Sequence, residues 1–335
     1  MIGSTRSLAS LCLTALATAA LLAAMAGCSV IGEGNEPWDT DTPEGEAFDA
    51  DRAAWGPEGR RIAFEHNGPL PDSVAGAPGQ LAVNQLWVAD LEAGTRRLVH
   101  RGPAVAPDWS PDGQQIAFST RISNAYVFVV DASGGTPTPL TGPDSPNPVL
   151  EETVTPEWSP SGDRLLYTIV AGEPRGISIM KPNGSNARII APYGVMGSWF
   201  PDGEHVVYVN WDQRVEDTSR RRQIFRARAD GTRIEKLTDL PRSDRIATPS
   251  VSPDGQQIAF IHRAADGTEE VFLMGSDGTD IRQITQGPGN AERPEWHPEG
   301  EAIAFSRQLA DGSHRLYLLD VETLEVEPVF PAKPD

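Results

Sequence analysis

Cysteine is nearly absent from this 335-residue chain. Cys12 and Cys28 are the only two, too few for a disulfide-stapled scaffold, so stability must come from a packed core. Lysine is scarce as well: Lys181, Lys236 and Lys333 are three of 28 basic residues, and the remaining 25 are arginine. Positive charge as a whole is short against 47 acidic residues, giving a net charge of −19. A chain this acidic repels phosphate backbones and anionic head groups, which excludes nucleic acid as a partner. Only six histidines occur, and zinc or manganese sites want three or more ligands in one place. No Gly-x-Ser-x-Gly elbow and no phosphate-cradling Gly-rich loop is found. The residues after 330 are too few for a fused peptidase domain. Neither a catalytic residue, a cofactor nor a metal is implied.

Long apolar runs are missing too, with one exception at the start. Arg6 is followed by the uncharged, Ala/Leu-rich segment Leu8–Ala26, and then by Gly27-Cys28. A positive residue, an apolar stretch and small residues before a cleavage point read as a secretory signal. Its Met25-Ala26-Gly27-Cys28 end resembles the lipobox of bacterial lipoproteins, with Met in place of the usual Leu. That resemblance implies cleavage before Cys28 and lipidation of Cys28. It also accounts for a lone exported thiol that would otherwise be a liability. Residues 28–46 are acidic, aperiodic and broken by Gly and Pro, and so read as a flexible linker. The expected destination is the outer face of the cytoplasmic membrane, held by the N-terminal lipid. In a two-membrane source it is the periplasm or the outer membrane, since Ser29 does not oppose transfer.

What the chain has in abundance is one local pattern. Trp109–Phe118 reads WSPDGQQIAF, and versions begin at Trp55, Trp158, Trp199, Val251 and Trp296. Steps of 41 to 54 residues between copies mean a propeller or a solenoid. The contents of each unit decide between the two. Ser-Pro-Asp-Gly suits a type I turn, with Pro second and Gly fourth. Ile116-Ala117-Phe118 is apolar on both faces, as a doubly buried strand should be. Gly-containing turns such as Asn183-Gly184 and Asp277-Gly278 then join a third strand to a fourth that ends near Leu-Thr. Four short antiparallel strands with no helical period make a propeller blade. The expected fold is therefore all-β, a six-bladed β-propeller of four-stranded antiparallel blades over residues 47–330. Two columns should fill its core: Ile62, Ile116, Leu165, Val206, Ile258 and Ile303, and Phe64, Phe118, Tyr167, Tyr208, Phe260 and Phe305. The motif tryptophans should pack between blades.

The Trp-Ser-Pro-Asp-Gly-x-x-Ile-Ala-Phe unit resembles the TolB-type propeller repeat, and all six copies carry it. The resemblance implies a six-bladed propeller in an exported protein. Members with a full TolB architecture carry an α/β domain before the propeller, for which residues 28–46 are too short. The TolB resemblance therefore bears on fold more than on a role in that system.

Sites on propellers lie in the loops at the axial opening, so equivalent positions deserve comparison. Two residues beyond the second-strand aromatic stand His66, Thr120, Ile169, Asn210, His262 and Arg307. If the ring closes, His66, His262 and Arg307 belong to neighbouring blades and become candidate binding residues, with plain loop ends as the alternative. Arg220, Arg221 and Arg222 end the long loop 210–223 and are a basic run in an acidic chain. They suit an acidic partner, or else form a solvated face. Loop 67–80 is rich in Pro and Gly and equally placed to bind. The expectation is a monomeric, non-catalytic scaffold for an envelope protein or cell-wall component, tied to the membrane through its N-terminal lipid. The alternative is a lyase or hydrolase acting on an acidic carbohydrate or small substrate at the axial mouth. Ring closure is open in the sequence: the blades close by packing alone, or residues after the linker add a strand to the last blade.

Overall fold

The computed structural model describes residues 36–37, 50–67, 84–120, 125–147, 152–211, 222–240 and 245–330. The expected signal segment, Cys28, most of the loop 67–80, and Arg220 and Arg221 lie outside the described residues. Every regular element among the described residues is a strand. They form six antiparallel sheets, each starting from an innermost strand: Ala50–Trp55, Val105–Trp109, Thr153–Trp158, Val195–Trp199, Ala247–Val251 and Asn290–Trp296. Each sheet continues outwards in chain order through three more strands. This is the expected six-bladed propeller.

The repeat builds each blade by a recurring set of bonds. In blade 2 the amide of Gly113 donates to the carbonyl of Ser110 at 2.8 Å, closing the turn. Ser110 Oγ donates to Asp112 Oδ1 at 2.6 Å, and the Gln115 amide donates to Ser110 Oγ at 2.9 Å. Gly113 sits at φ 68°, a left-handed conformation that glycine adopts without steric cost. The recurring Leu-Thr also has a physical reason. The hydroxyls of Thr141, Thr238 and Thr285 accept the amides of Val127, Ile224 and Val271 at 2.8–2.9 Å. They finish the ladder where the fourth strand has ended.

The two expected columns are the core. Ile62, Ile116, Leu165, Val206, Ile258 and Ile303 are fully buried, and so are the six aromatics two positions later. They fall into six apolar clusters, one in each seam between neighbouring blades. The tryptophans do pack between blades. The Trp199 indole donates to the carbonyl of Glu157 at 3.3 Å, and that of Trp296 to Ser250 at 3.2 Å. Arg61 and Arg164 lie over the rings of Trp109 and Trp199 in the next blade, at 4.6 and 4.9 Å.

As far as the described residues go, blades 6 and 1 meet by packing, the first of the two expectations. Among the described residues no strand is shared between blades 6 and 1. Glu36–Pro37 does form a strand, but it pairs with Thr95–His100 at the outer edge of blade 1 and not with the last blade. The seam is held by side chains. Ser306 Oγ donates to Asp51 Oδ1 at 2.6 Å, Phe64 meets Phe330 at 5.3 Å, and the His297 ring packs edge-on against Trp55 at 4.5 Å. His297 Nε2 also bonds the carbonyl of Gly59 at 2.8 Å. A Cβ at Gly59 would lie 2.6 Å from that nitrogen, so the turn and the histidine fit only with glycine there.

Candidate axial binding site

All six innermost strands carry the same irregularity. Their register slips between Asp51 and Ala54, Val105 and Asp108, Val154 and Glu157, Val195 and Ser198, Ala247 and Ser250, and Glu292 and Glu295. The residue opening each bulge is left-handed: Arg52, Ala106, Thr155, Met196, Thr248 and Arg293 have φ between 42° and 55°. None is glycine, and this conformation costs a residue with a Cβ roughly 1–2 kcal/mol. In four blades the next residue is proline, which has no amide to offer a ladder and is at home in a bulge. Strain repeated six times around one axis must be supported by the surrounding fold, and such outliers gather at binding sites.

The bulges turn two rings of side chains towards the axis. The first ring is Arg52, Ala106, Thr155, Met196, Thr248 and Arg293. The second, two residues on, is Ala54, Asp108, Glu157, Ser198, Ser250 and Glu295. Together with the residues between them they line a cavity of about 110 Å³, several times what a single water requires. Its charges are segregated. Asp108, Glu157 and Glu295 supply three carboxyl groups to the second ring, whereas Arg52 and Arg293 sit side by side in the first.

The carboxyl groups line the cavity from half-buried positions. Burial raises Asp108 to about 7 against the amides of Trp158 and Trp109, which favour its ionised form. Burial, and then the nearby Asp108, raises Glu295 to about 8. Burial raises Glu157 well above the usual range, with Asp108 and Glu295 adding to the effect. The trio therefore holds protons at neutral pH that ordinary carboxyls have lost. Each also stitches two blades. Asp108 Oδ2 accepts the Trp158 amide at 2.5 Å, and Glu157 Oε1 accepts the Trp199 amide at 2.7 Å and Ser198 Oγ at 3.1 Å. Glu295 Oε2 receives Ser250 Oγ at 3.5 Å. A carboxyl group that keeps its proton still accepts at its oxygens and donates once, so bonding capacity is left over in all three.

On the basic side, Arg52 lies 3.0 Å from Glu65 and 3.5 Å from Asp51, but its Nε makes no directed hydrogen bond. The Nε of Arg293 is sealed from solvent without a hydrogen-bond partner among the described residues. Burial, and then the like charge of Arg52, pulls Arg293 down to about 10, while Asp51 and Glu65 hold it up. Thr248 Oγ1, next in the same ring, is also buried without a partner.

The candidate residues named from the sequence fall elsewhere. Arg307 is buried in blade 6, where it donates to Glu270 Oε2 at 2.8 Å and Oε1 at 3.2 Å. Glu270 also receives Thr285 Oγ1 at 2.6 Å and pairs across the ladder with His262. His262 is half-buried against Phe272 at 5.2 Å, and burial, then Arg263, lowers its pKa. His66 is buried edge-on to Trp87 at 6.0 Å. The fold thus brings Arg307 to a buried carboxylate of the neighbouring blade, with His262 opposite that residue in the ladder and His66 packed against its own blade. Arg222 opens the strand Arg222–Arg228 opposite Trp211. Among the described residues, three groups that could offer a metal one atom each within 4.8 Å are Asp51, Glu292 and His314. Asp51 is already engaged by Ser306 and Arg52 as a seam contact.

The axial rings were missed in the sequence, although they leave a trace. Ala106-Pro107-Asp108-Trp109, Thr155-Pro156-Glu157-Trp158 and Arg293-Pro294-Glu295-Trp296 place an acidic residue after a proline and before the motif tryptophan. An isolated acid there reads as a strand-edge residue until ring closure brings three together.

Comparison with known proteins agrees with this architecture. The family model described as the TolB beta propeller domain (PD40) matches residues 147–328. An uncharacterized protein of Agrobacterium fabrum is 26% identical over 267 residues, covering 75% of this chain and 81% of its own length. The crystal structure of TolB from Acinetobacter baumannii superposes with a TM-score of 0.60 at 17% identity, over 79% of this chain and 75% of that one. An oligogalacturonate lyase solved with manganese superposes at 0.53 and 13% identity, over 86% of this chain and 98% of that one. At these identities the two solved structures speak to the fold alone.

Proposed function

This chain belongs to the TolB β-propeller family, and on that premise we propose that it is a non-catalytic, exported lipoprotein that binds an envelope protein or cell-wall component at its axial cavity. The observation that carries the reading is Arg293, whose buried Nε has no partner among the described residues, at a cavity to which all six blades contribute. Buried donors in folded proteins are almost always paired. The side chain that carries this one lines a concave, polar cavity, the kind of surface where ligands bind. Export and anchoring rest on residues 1–28, with Cys28 as the lipidated residue and the acidic segment after it as the spacer. Arg220, Arg221 and Arg222 serve in this reading as an outer contact for an acidic partner.

The test is capture from membranes with the full lipidated protein as bait. Arg293→Met should release the captured partner, and Arg220–Arg222→Ala should weaken capture at low salt. Capture indifferent to Arg293→Met would remove the cavity from the account. Mass measurement of the mature N-terminus should show a diacylated Cys28, and an unmodified Cys28 contradicts the anchor.

A second reading has its own observation. A carboxyl poised near pH 7, such as Asp108, beside further carboxyls is the makings of general acid–base catalysis. On that reading the chain is a lyase or hydrolase acting on an acidic carbohydrate or small substrate. Turnover of uronate-containing oligosaccharides, lost in Asp108→Asn, would establish it over the binding role.

A further inference from the structure

We propose that the axial cavity binds a small zwitterion of the amino-acid type, its carboxylate held by Arg293, Arg52 and Thr248 and its ammonium by Asp108, Glu157 and Glu295. This deepens the binding reading above and rests on it.

Among the described residues nine buried side-chain atoms have no hydrogen-bond partner, and three of them, Arg52 Nε, Arg293 Nε and Thr248 Oγ1, belong to residues that line the cavity. They occupy the same ring position in blades 5, 6 and 1, which are consecutive around the closed ring. An arc of two guanidinium groups and a hydroxyl on one side of the cavity suits an anion with two or more oxygens. A guanidinium fork matches a carboxylate in two parallel bonds. The nearby Asp51 and Glu65 act on Arg293 through their charge, yet its Nε remains without an acceptor.

In the second ring the chemistry reverses: Glu295 follows Arg293 by two residues in blade 6, and Asp108 and Glu157 stand in blades 2 and 3. Asp108, Glu157 and Glu295 face the cavity with acceptor capacity to spare. Both arcs line one small cavity, within the reach of a small molecule hydrogen-bonded at both ends. A simple anion would satisfy the arginines and leave the acids facing one another. A metal cation would do the opposite. A ligand with an ammonium at one end and a carboxylate at the other answers both arcs at once.

The same chemistry is offered by a free amino acid and by the amino-acid end of a cell-wall peptide. Calorimetric titration of the full folded protein distinguishes them, with L-alanine, alaninamide, N-acetylalanine and muramidase-released wall peptides as probes. L-alanine should bind saturably, and the amide and the N-acetyl form, each lacking one charge, should bind roughly 10-fold more weakly or worse, the loss of about one charge-assisted bond. Wall peptides binding more tightly than alanine would identify the wall as the source, and equal affinity would identify the free amino acid. Arg293→Met should abolish binding, Arg293→Lys should restore part of it, and Thr248→Val should weaken it several-fold. Far-UV circular dichroism and the melting temperature verify that each variant is folded. The proposal is overturned if the blocked analogues bind as well as alanine. It is overturned equally if neither alanine nor the peptides bind, or if calcium or manganese alone saturates the site regardless of Arg293→Met. Should Arg293→Met release an envelope partner while no zwitterion binds, this inference fails and the binding reading stands. Should capture also ignore Arg293→Met, both fail.

Discussion

Blade 6 contains two arginines with opposite circumstances. Arg307 lies on the second strand and gives two bonds to Glu270, itself tied to Thr285 and to the amide of Gly287. Arg293 lies on the innermost strand with its Nε sealed in and unpaired. The Arg307 guanidinium is bonded on folding, whereas the Nε of Arg293 is sealed without such a bond among the described residues. The satisfied arginine ties blade 6 to blade 5. The other lines the axial cavity. The contrast separates parts of the propeller that hold it together from parts that are held ready.

The largest expected effect tests the structural half of that contrast. Arg307→Met leaves Glu270 buried and unpaired, and removing one partner of a buried pair costs about 3–5 kcal/mol. Denaturant unfolding should show that loss as a lower midpoint with unchanged slope. Glu270→Gln in the same background should recover part of it, because the amide tolerates burial without the arginine.

The next effect concerns pH and the acidic arc. Asp108 and Glu295 titrate in the folded protein near 7 and 8, far above ordinary carboxyls. Around pH 4 and below, they carry protons whether the chain is folded or not, and stability is unaffected by them. Between about 4 and 8 the unfolded chain has released these protons while the folded one keeps them. The folded state then binds more protons, so stability falls as pH rises through this window and levels off above it. The groups that face the trio are the three acids themselves and, in the adjoining ring, Arg52 and Arg293, with Asp51, Glu65 and Glu292 behind the arginines. Asp108→Asn should flatten the pH profile and recover stability at pH 8, since each tenfold difference in proton affinity between the folded and unfolded chain is worth about 1.4 kcal/mol. A profile as steep as wild type would show that Asp108 does not carry the effect.

A smaller change is expected at the closing seam. His297→Ala deletes the bond to Gly59 and the contact with Trp55, and should cost about 1 kcal/mol. Because no shared strand latches blades 6 and 1 among the described residues, hydrogen exchange should rise first in Ala50–Trp55 and Asn290–Trp296. Uniform loss of protection around the ring would show that this seam is no weaker than the other five.

How much of this was legible in the sequence follows the same division. The columns at Ile116 and Phe118, the Ser110–Gly113 turn and the inter-blade tryptophans repeat at fixed local spacing, and local spacing is what a sequence displays. Arg307 was legible as a residue at an equivalent position but not as a buried one. Its partner Glu270 lies on another blade, and only the register opposite His262 brings the two together. The axial site is further from view. Asp108, Glu157 and Glu295 are separated by 49 and 138 residues and meet only because the ring closes. The bulges that turn them inward place Arg, Thr and Met in a conformation that glycine would announce.

One measurement bears on the central claim most directly: the unfolding free energies of Arg293→Met and Arg307→Met, side by side at neutral pH. Arg307→Met should lose about 3–5 kcal/mol. Arg293→Met should lose clearly less, because Asp51 and Glu65, whose charges favour the ionised Arg293, keep Arg52 beside them. A loss at Arg293→Met equal to that at Arg307→Met would make it a structural arginine and contradict the assignment of the axial cavity as the binding site.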